Sequence, residues 1–320
     1  MKFRTSVPII EQEPKIDHSS KILLLGSCFV ENIGDKLDYY QFQNLRNPFG
    51  IFYHPGAIGD FLKKVATGYK YEEKDVFFHN EQWHCFEAHS CLNSSSKEEL
   101  LVKLNEGIQN TRAFIENATH VILTFGTSWY YKEAKSGVSV ANCHKLPSKN
   151  FNKQLLNINE IENIFNSALQ SLLTINPKVK IIFTVSPVRH LKDGFIENQQ
   201  SKAHLLSAIH QFIASQKNTN PDICFYFPAY EIMLDELRDY RFYNEDMLHP
   251  NSLAIDYIWS HFTEAWLTKK AIELLKPIEV IRQGLGHKPF NESSEKHQLF
   301  IKKLEGKIAS LKTKIPSLKF

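Results

Sequence analysis

Four times in this sequence a short, mostly apolar run stops at or just before a glycine or proline. The runs are Lys21-Ile-Leu-Leu-Leu-Gly26, Val121-Ile-Leu-Thr-Phe125 before Gly126, Lys180-Ile-Ile-Phe-Thr-Val185 before Pro187, and Ile223-Cys-Phe-Tyr-Phe227 before Pro228. A strand covered on both faces reads in this way, because neither side of its pleat meets water. A weaker strand, 42–47, precedes Pro48-Phe-Gly50. Helical spacing follows the first run at Val30, Ile33 and Leu37, and further helices are expected over 57–65, 97–115, 158–173, 199–215 and 254–275. Strands alternating with helices make a parallel sheet sandwiched between helical layers, an α/β fold whose ligands sit beyond the carboxyl ends of the strands.

The chain has 320 residues, 42% of them apolar and 23% charged, enough for a buried core and a wetted surface. This excludes a mainly disordered or fibrous chain. The net charge of +3 does not point to nucleic acid as a partner. The charge is uneven: residues 276–320 hold ten Lys/Arg against four Glu, so a basic tail follows a slightly acidic body. Two units are therefore expected, a body over 1–275 and a basic helical tail over 276–320. The tail's amphipathic stretch, residues 298–311, would dock on the body, on a second subunit or on an anionic surface.

No apolar run is long enough to cross a membrane, and the N-terminus lacks the apolar core of an export signal, so a cytoplasmic location is expected. Five cysteines argue against a disulfide framework. Two hairpins are expected, one turning at His79-Asn-Glu-Gln82 and one at Lys135-Ser-Gly137. If residues 83–90 form a strand, Cys85, Glu87, His89 and Cys91 share a face, but a flat strand face does not converge on a metal, and no metal or other cofactor is expected. Gly284-Leu-Gly286 has no strand before it and is set aside as a phosphate loop.

Two segments carry chemistry. Asp246-Met-Leu-His249 enters a helix and places a carboxylate three residues before an imidazole, the arrangement that orients a general base. Gly26-Ser27-Cys28-Phe29 ends the first strand at a sharp turn into a helix, whose N-terminal N–H groups suit an oxyanion. The alternation of elements brings both segments to one edge of the sheet.

Gly26-Ser-Cys-Phe-Val30 resembles the signature of the GSCFA domain family, which is distantly similar to SGNH/GDSL-type hydrolases. Asn47-Pro-Phe-Gly50, Thr124-Phe-Gly-Thr-Ser-Trp129, Asn142-Cys-His-Lys145, Thr184-Val-Ser-Pro-Val-Arg-His190 and the Asp246/His249 element match in family order. The resemblance implies a three-layer α/β/α sandwich with a flavodoxin-like, five-stranded, mainly parallel sheet. It also implies hydrolysis of an ester, including O-acylated carbohydrate, through an acyl-enzyme. Acyl transfer on the same scaffold and non-catalytic binding of a glycan are the alternatives.

Against the Gly-Asp-Ser of SGNH enzymes, Cys28 takes the nucleophile's place and Ser27 the neighbouring one. A shift of the turn by one residue reverses these roles, and in a third reading neither side chain is a covalent nucleophile. His249 is the implied base and Asp246 its orienting partner. The implied oxyanion hole uses the N–H of Cys28 and Gly50, with Thr127 or Ser128 in place of the family's asparagine. Trp129, Asn142, His144, Arg189, His190 and His89 are the expected substrate-side residues.

Overall fold

The apolar runs form one parallel sheet in the computed structural model, which describes residues 5–291, 293–315 and 318–320. In chain order the strands are β1 (Lys21–Gly26), β2 (Gln43–Arg46), β3 (Phe77–His79), β4 (Gln82–His84) and β5 (His120–Phe125). They continue with β6 (Trp129–Glu133), β7 (Ser139–Val140), β8 (Phe151–Leu155), β9 (Lys180–Val185) and β10 (Cys224–Tyr226). The helices are α1 (Phe29–Tyr39), α2 (Pro55–Thr67), α3 (Lys97–Ile115), α4 (Ile158–Ile175) and α5 (Phe195–Gln216). The short α6 (Ala229–Glu231), then α7 (Ser252–Trp266), α8 (Lys269–Gly286) and α9 (Glu295–Lys314) complete the set.

The main sheet runs β10-β9-β5-β1-β2 with every pairing parallel. Counting only these strands, the order is the flavodoxin-like one implied by the resemblance. Its register aligns Leu24, Ile122, Ile182 and Phe225 in a row across four strands. Because side chains alternate along a strand, Ile22, Leu24, Ile122 and Ile182 point to one face, where α1 and α7 pack through Phe29, Ile33, Ile258, Phe262 and Trp266. Leu23, Leu25, Val121, Leu123, Ile181 and Phe183 point to the other, against α2, α3, α4 and α5. Each fully buried Leu, Ile or Phe contributes about 1.5–3 kcal/mol by leaving water.

Several expected boundaries move. The helix expected over 254–275 is two helices. The chain at Ile16 bridges to Leu267, accepts a bond from Thr268 N–H (3.0 Å) and donates to the Trp266 carbonyl (2.7 Å), which holds Leu267 extended; the Thr268 side chain then caps α8. α8 runs on through residue 275. α8 and α9 share an apolar cluster of Leu274, Ile278, Ile281, Leu304 and Leu311, with Tyr40 against it, and Lys319 N–H bonds the Gln41 side chain (2.8 Å).

The first hairpin is β3–β4, but its second strand stops at His84 and turns at Cys85–Ala88, so Cys85, Glu87, His89 and Cys91 do not line one strand face. The second hairpin gains β8, giving a sheet of order β7-β6-β8. No helix among the described residues is long and apolar enough to cross a membrane.

Candidate active site

The turn after β1 demands its sequence. Gly26 has φ +146°, and a Cβ there would collide with the Thr124 carbonyl of the neighbouring strand. Its N–H is accepted by Asn47 Oδ1 (2.9 Å), and Ser27 N–H by the Thr124 carbonyl (3.1 Å). Ser27 is 0% exposed and its Oγ has no partner among the described residues. Cys28, the N-cap of α1, is half-buried, and the N–H groups of Cys28 and Phe29 face its sulfur. Of the two neighbours, the thiol is the more accessible. Burial pushes the Cys28 thiol above its ordinary range; Lys202 and the two N–H groups pull it down, while the Asp246 carboxylate raises it.

Asp246 and His249 stand on the loop before α7. Asp246 Oδ2 accepts from His249 Nδ1 at 2.6 Å, and Oδ1 accepts the N–H of Leu248 (2.9 Å) and His249 (3.0 Å). These bonds, the His249 N–H foremost, hold the Asp246 carboxyl down at about 2. With Nδ1 occupied, Nε2 is the nitrogen left to carry a proton. The two side chains are 46% and 42% exposed. Arg189 anchors this loop to the end of β9: its guanidinium donates to the Met247 carbonyl (2.8 Å) and stacks 4.6 Å from Tyr243. Arg189 is therefore a clamp on the His249 loop. Among the described residues no hydrogen bond joins Cys28 to His249; the Asp246 carboxylate acts on the thiol through its charge.

The residues expected in the oxyanion hole have other partners. Gly50 N–H donates to the Asn47 carbonyl (2.7 Å), and the glycine packs on His89 with φ +76°. Thr127 Oγ1 pairs with Ser201 Oγ (2.9 Å), while Ser128, fully buried, donates its N–H to Ser201 Oγ (2.7 Å) and its hydroxyl to the Ser201 carbonyl (3.1 Å). Both hydroxyls lock α5 onto the turn after β5. The group standing beside that turn is His190. Its Nε2 is buried without a partner among the described residues and lies 2.6 Å from where a Cβ on Gly126 would be, with Ser27 Cβ 3.3 Å from the same point. Burial first, then the Lys202 and His249 charges, depress this imidazole to about 3, so it is neutral.

The other expected substrate-side residues are dispersed. Trp129 Nε1 donates to the Glu197 carbonyl (3.2 Å), with Lys153 4.4 Å above its ring. Asn142 Oδ1 accepts the His144 N–H (2.8 Å). His144 is buried between the two hairpins: its Nε2 bonds the Cys85 carbonyl (2.7 Å) and its Nδ1 lies 3.2 Å from His84 Nδ1. It ties inserts together and does not reach the thiol's turn. His89 caps a short turn at Cys91 (3.4 Å). Among the described residues no group of three potential ligands could hold a metal, and all five cysteines are free.

One residue escaped the sequence reading. Lys202, on the inward face of α5, is 1% exposed, and its ammonium donates to the Ser186 carbonyl (2.6 Å). Burial pulls it down to about 7, with Cys28 opposing that shift. Its signal was present: Asn198, Ser201 and Lys202 continue, as polar residues, the buried stripe of Leu205, Ala208, Ile209 and Phe212.

The family model named GSCFA family matches residues 21–262, and that of the GSCFA domain protein, C-terminal domain, matches 278–320. No curated protein matches the chain in sequence. Solved structures similar to it at low identity include three esterases. A carbohydrate esterase family 3 from Talaromyces cellulolyticus is 12% identical with TM-score 0.37, the match covering 80% of this chain and 98% of that one. A mutant acetyl esterase with acetate ion is 13% identical with TM-score 0.39, covering 81% and 99%. An acetyl xylan esterase (Est2A) from the rumen bacterium Butyrivibrio proteoclasticus is 11% identical with TM-score 0.38, covering 88% and 66%.

Proposed function

The chain belongs to the GSCFA family, and from that membership and the geometry of its site we propose that it hydrolyses esters, O-acyl groups on carbohydrate among them, through an acyl-enzyme on Cys28. The observation that carries this reading is a half-buried thiol on a helix N-terminus at the same sheet edge as an imidazole held by a carboxylate at 2.6 Å.

In this mechanism His249 Nε2 takes the thiol proton as the sulfur attacks the ester carbonyl carbon. A C–S bond forms and the carbonyl π pair moves to oxygen. The N–H groups of Cys28 and Phe29 stabilise negative charge at the mouth of α1. The neutral Nε2–H of His190 is the third donor, in the place where the family resemblance implies an asparagine. When the C–O bond breaks, the leaving alkoxide takes the proton from His249. Water then gives a proton to His249 and attacks the thioester; the thiolate leaves and is reprotonated, and the carboxylic acid departs. A sugar hydroxyl in place of water makes the same intermediate an acyl donor.

A second reading is favoured by one observation: Gly50 N–H and the Thr127 and Ser128 hydroxyls already have internal partners. A hole short of donors suits a scaffold that binds a glycan without cleaving it, since losing one such donor costs on the order of 10²–10³ in rate. Hydrolysis of 4-nitrophenyl acetate by wild type, Cys28→Ala, Ser27→Ala and His249→Ala separates the two. Turnover by wild type and Ser27→Ala, with loss in the other two, supports the acyl-enzyme. Equal background rates in all four support the binding scaffold, and loss in Ser27→Ala alone moves the nucleophile to the hydroxyl. An added methyl glycoside that collects the acetyl group marks the transferase.

A further inference from the structure

Lys202 has no part in the reaction as written, and its position calls for one. An ammonium is a compact, strongly hydrated charge, and taking it out of water is costly unless an anion meets it. Lys202 is nonetheless 1% exposed, and among the described residues it forms no ion pair with a carboxylate. Of its three N–H groups, one is accounted for by the Ser186 carbonyl at 2.6 Å, and the Tyr230 ring lies 5.7 Å away.

Backbone bonds fix where that ammonium stands. Ser186 is the first residue after β9, and its N–H donates to the Phe125 carbonyl at the end of β5 (2.9 Å). One residue earlier on β5, the Thr124 carbonyl accepts the N–H of Ser27, the neighbour of Cys28 (3.1 Å). The ammonium is thus held at the carboxyl edge of the sheet, beside the turn that carries the thiol. Cys28 is also the side chain whose charge favours the protonated lysine.

We infer that Lys202 is the counter-ion of the Cys28 thiolate, a positioning residue on α5 that lets the half-buried sulfur ionise. The inference rests on Cys28 being the nucleophile of the reading above. It explains why a lysine occupies the buried stripe of α5 where an apolar residue would pack without cost. The other side-chain charge that bears on the thiol is Asp246 from the loop before α7, which opposes ionisation; burial first and then the Cys28 charge raise the Tyr53 hydroxyl. Of the imidazoles nearby, His190 is neutral, held so by burial first and then by the Lys202 and His249 charges.

The test reads thiol ionisation and needs no substrate. Alkylation of Cys28 by iodoacetamide is followed against pH by peptide mass spectrometry in wild type, Lys202→Met and Lys202→Arg. Lys202→Met is expected to raise the midpoint of the alkylation profile, slowing the reaction at pH 7 about tenfold for each unit gained, while Lys202→Arg keeps most of the wild-type profile. A folded Lys202→Met with the wild-type midpoint overturns the inference.

The reciprocal measurement keeps the test open if that variant does not fold. The ¹³Cε resonance of Lys202 is titrated in wild type and Cys28→Ser. Removal of the thiolate is expected to lower the lysine midpoint, and an unchanged midpoint overturns the inference. A moved thiol midpoint with no Cys28-dependent esterase activity defeats the proposed reaction and leaves the ion pair. Cys28-dependent activity with an unmoved midpoint does the reverse.

Discussion

Asn47 holds the nucleophile's turn together, and Asn47→Ala measures how firmly. Its Oδ1 accepts the buried N–H of Gly26 at 2.9 Å, and its Nδ2 donates to Glu31 on α1 at 2.6 Å. Its backbone sits at φ +38°, in the left-handed region that asparagine tolerates better than alanine. Alanine leaves the Gly26 N–H buried without an acceptor, a loss of about 1–3 kcal/mol. The positive φ adds about 1 kcal/mol. The Glu31 bond is partly solvated and adds under about 1 kcal/mol. The total is about 3 kcal/mol, or a fall in Tm of about 6–12 °C at about 2–4 °C per kcal/mol for a chain of this size.

Urea unfolding at pH 7 with a parallel thermal melt reads it. Asn47→Gly loses the same side-chain bonds but spares the backbone strain, and so falls between alanine and wild type. Asn47→Asp keeps the acceptor but faces the Glu31 carboxylate, and is the mildest of the three. Asn47→Ala within about 1 kcal/mol of wild type, or Asn47→Gly as damaging as Asn47→Ala, refutes the argument for the acceptor and for the strain respectively.

Three further outcomes are expected. Ser27→Ala removes a hydroxyl that is buried without a partner, so its urea midpoint equals or exceeds that of wild type; a loss of more than about 1 kcal/mol would show a bond that the geometry lacks. Gly126→Ala drives a methyl to 2.6 Å from His190 Nε2, and kcat for 4-nitrophenyl acetate is expected to fall about 10²-fold or more with KM little changed; wild-type kcat would exclude His190 from the oxyanion hole. His54, His120 and His144 are held neutral by burial, down to about 4 from an ordinary 6.5. Below pH 6.5 the unfolded chain binds protons that the folded chain refuses, so the stability is complete above 6.5 and is lost as the pH falls towards about 4. A Tm that stays level from pH 7 to 4.5 contradicts this.

What the sequence made legible was what depends on neighbours in the chain. The apolar runs at 21–26, 121–125 and 180–185 named their strands because burial on both faces leaves no polar alternation to confuse the reading. Asp246 and His249 were legible because three residues of loop suffice to bring a carboxylate to an imidazole. Apart from local turns at Cys85–Ala88 and Asn47–Gly50, the misses involve a partner from far along the chain. Leu267 breaks the helix because Ile16 pairs with it, and nothing near residue 267 announces that. Strand β8 has three exposed residues in five and gains its place only by pairing with β6.

Thr127 and Ser128 read as donors to a substrate because their acceptor, Ser201, lies 74 and 73 positions away. Lys202, next to it, belongs to the same class of miss. On its own helix it looks like a polar residue straying into an apolar stripe, and only the sheet edge opposite supplies the thiol that gives the charge a reason. A polar step at the N-terminal end of a buried helical stripe, in a helix that follows a parallel strand, is therefore worth reading as site chemistry. That end of the helix abuts the edge of the sheet where the other reactive groups collect, and burying polarity there without a partner is too costly to be incidental.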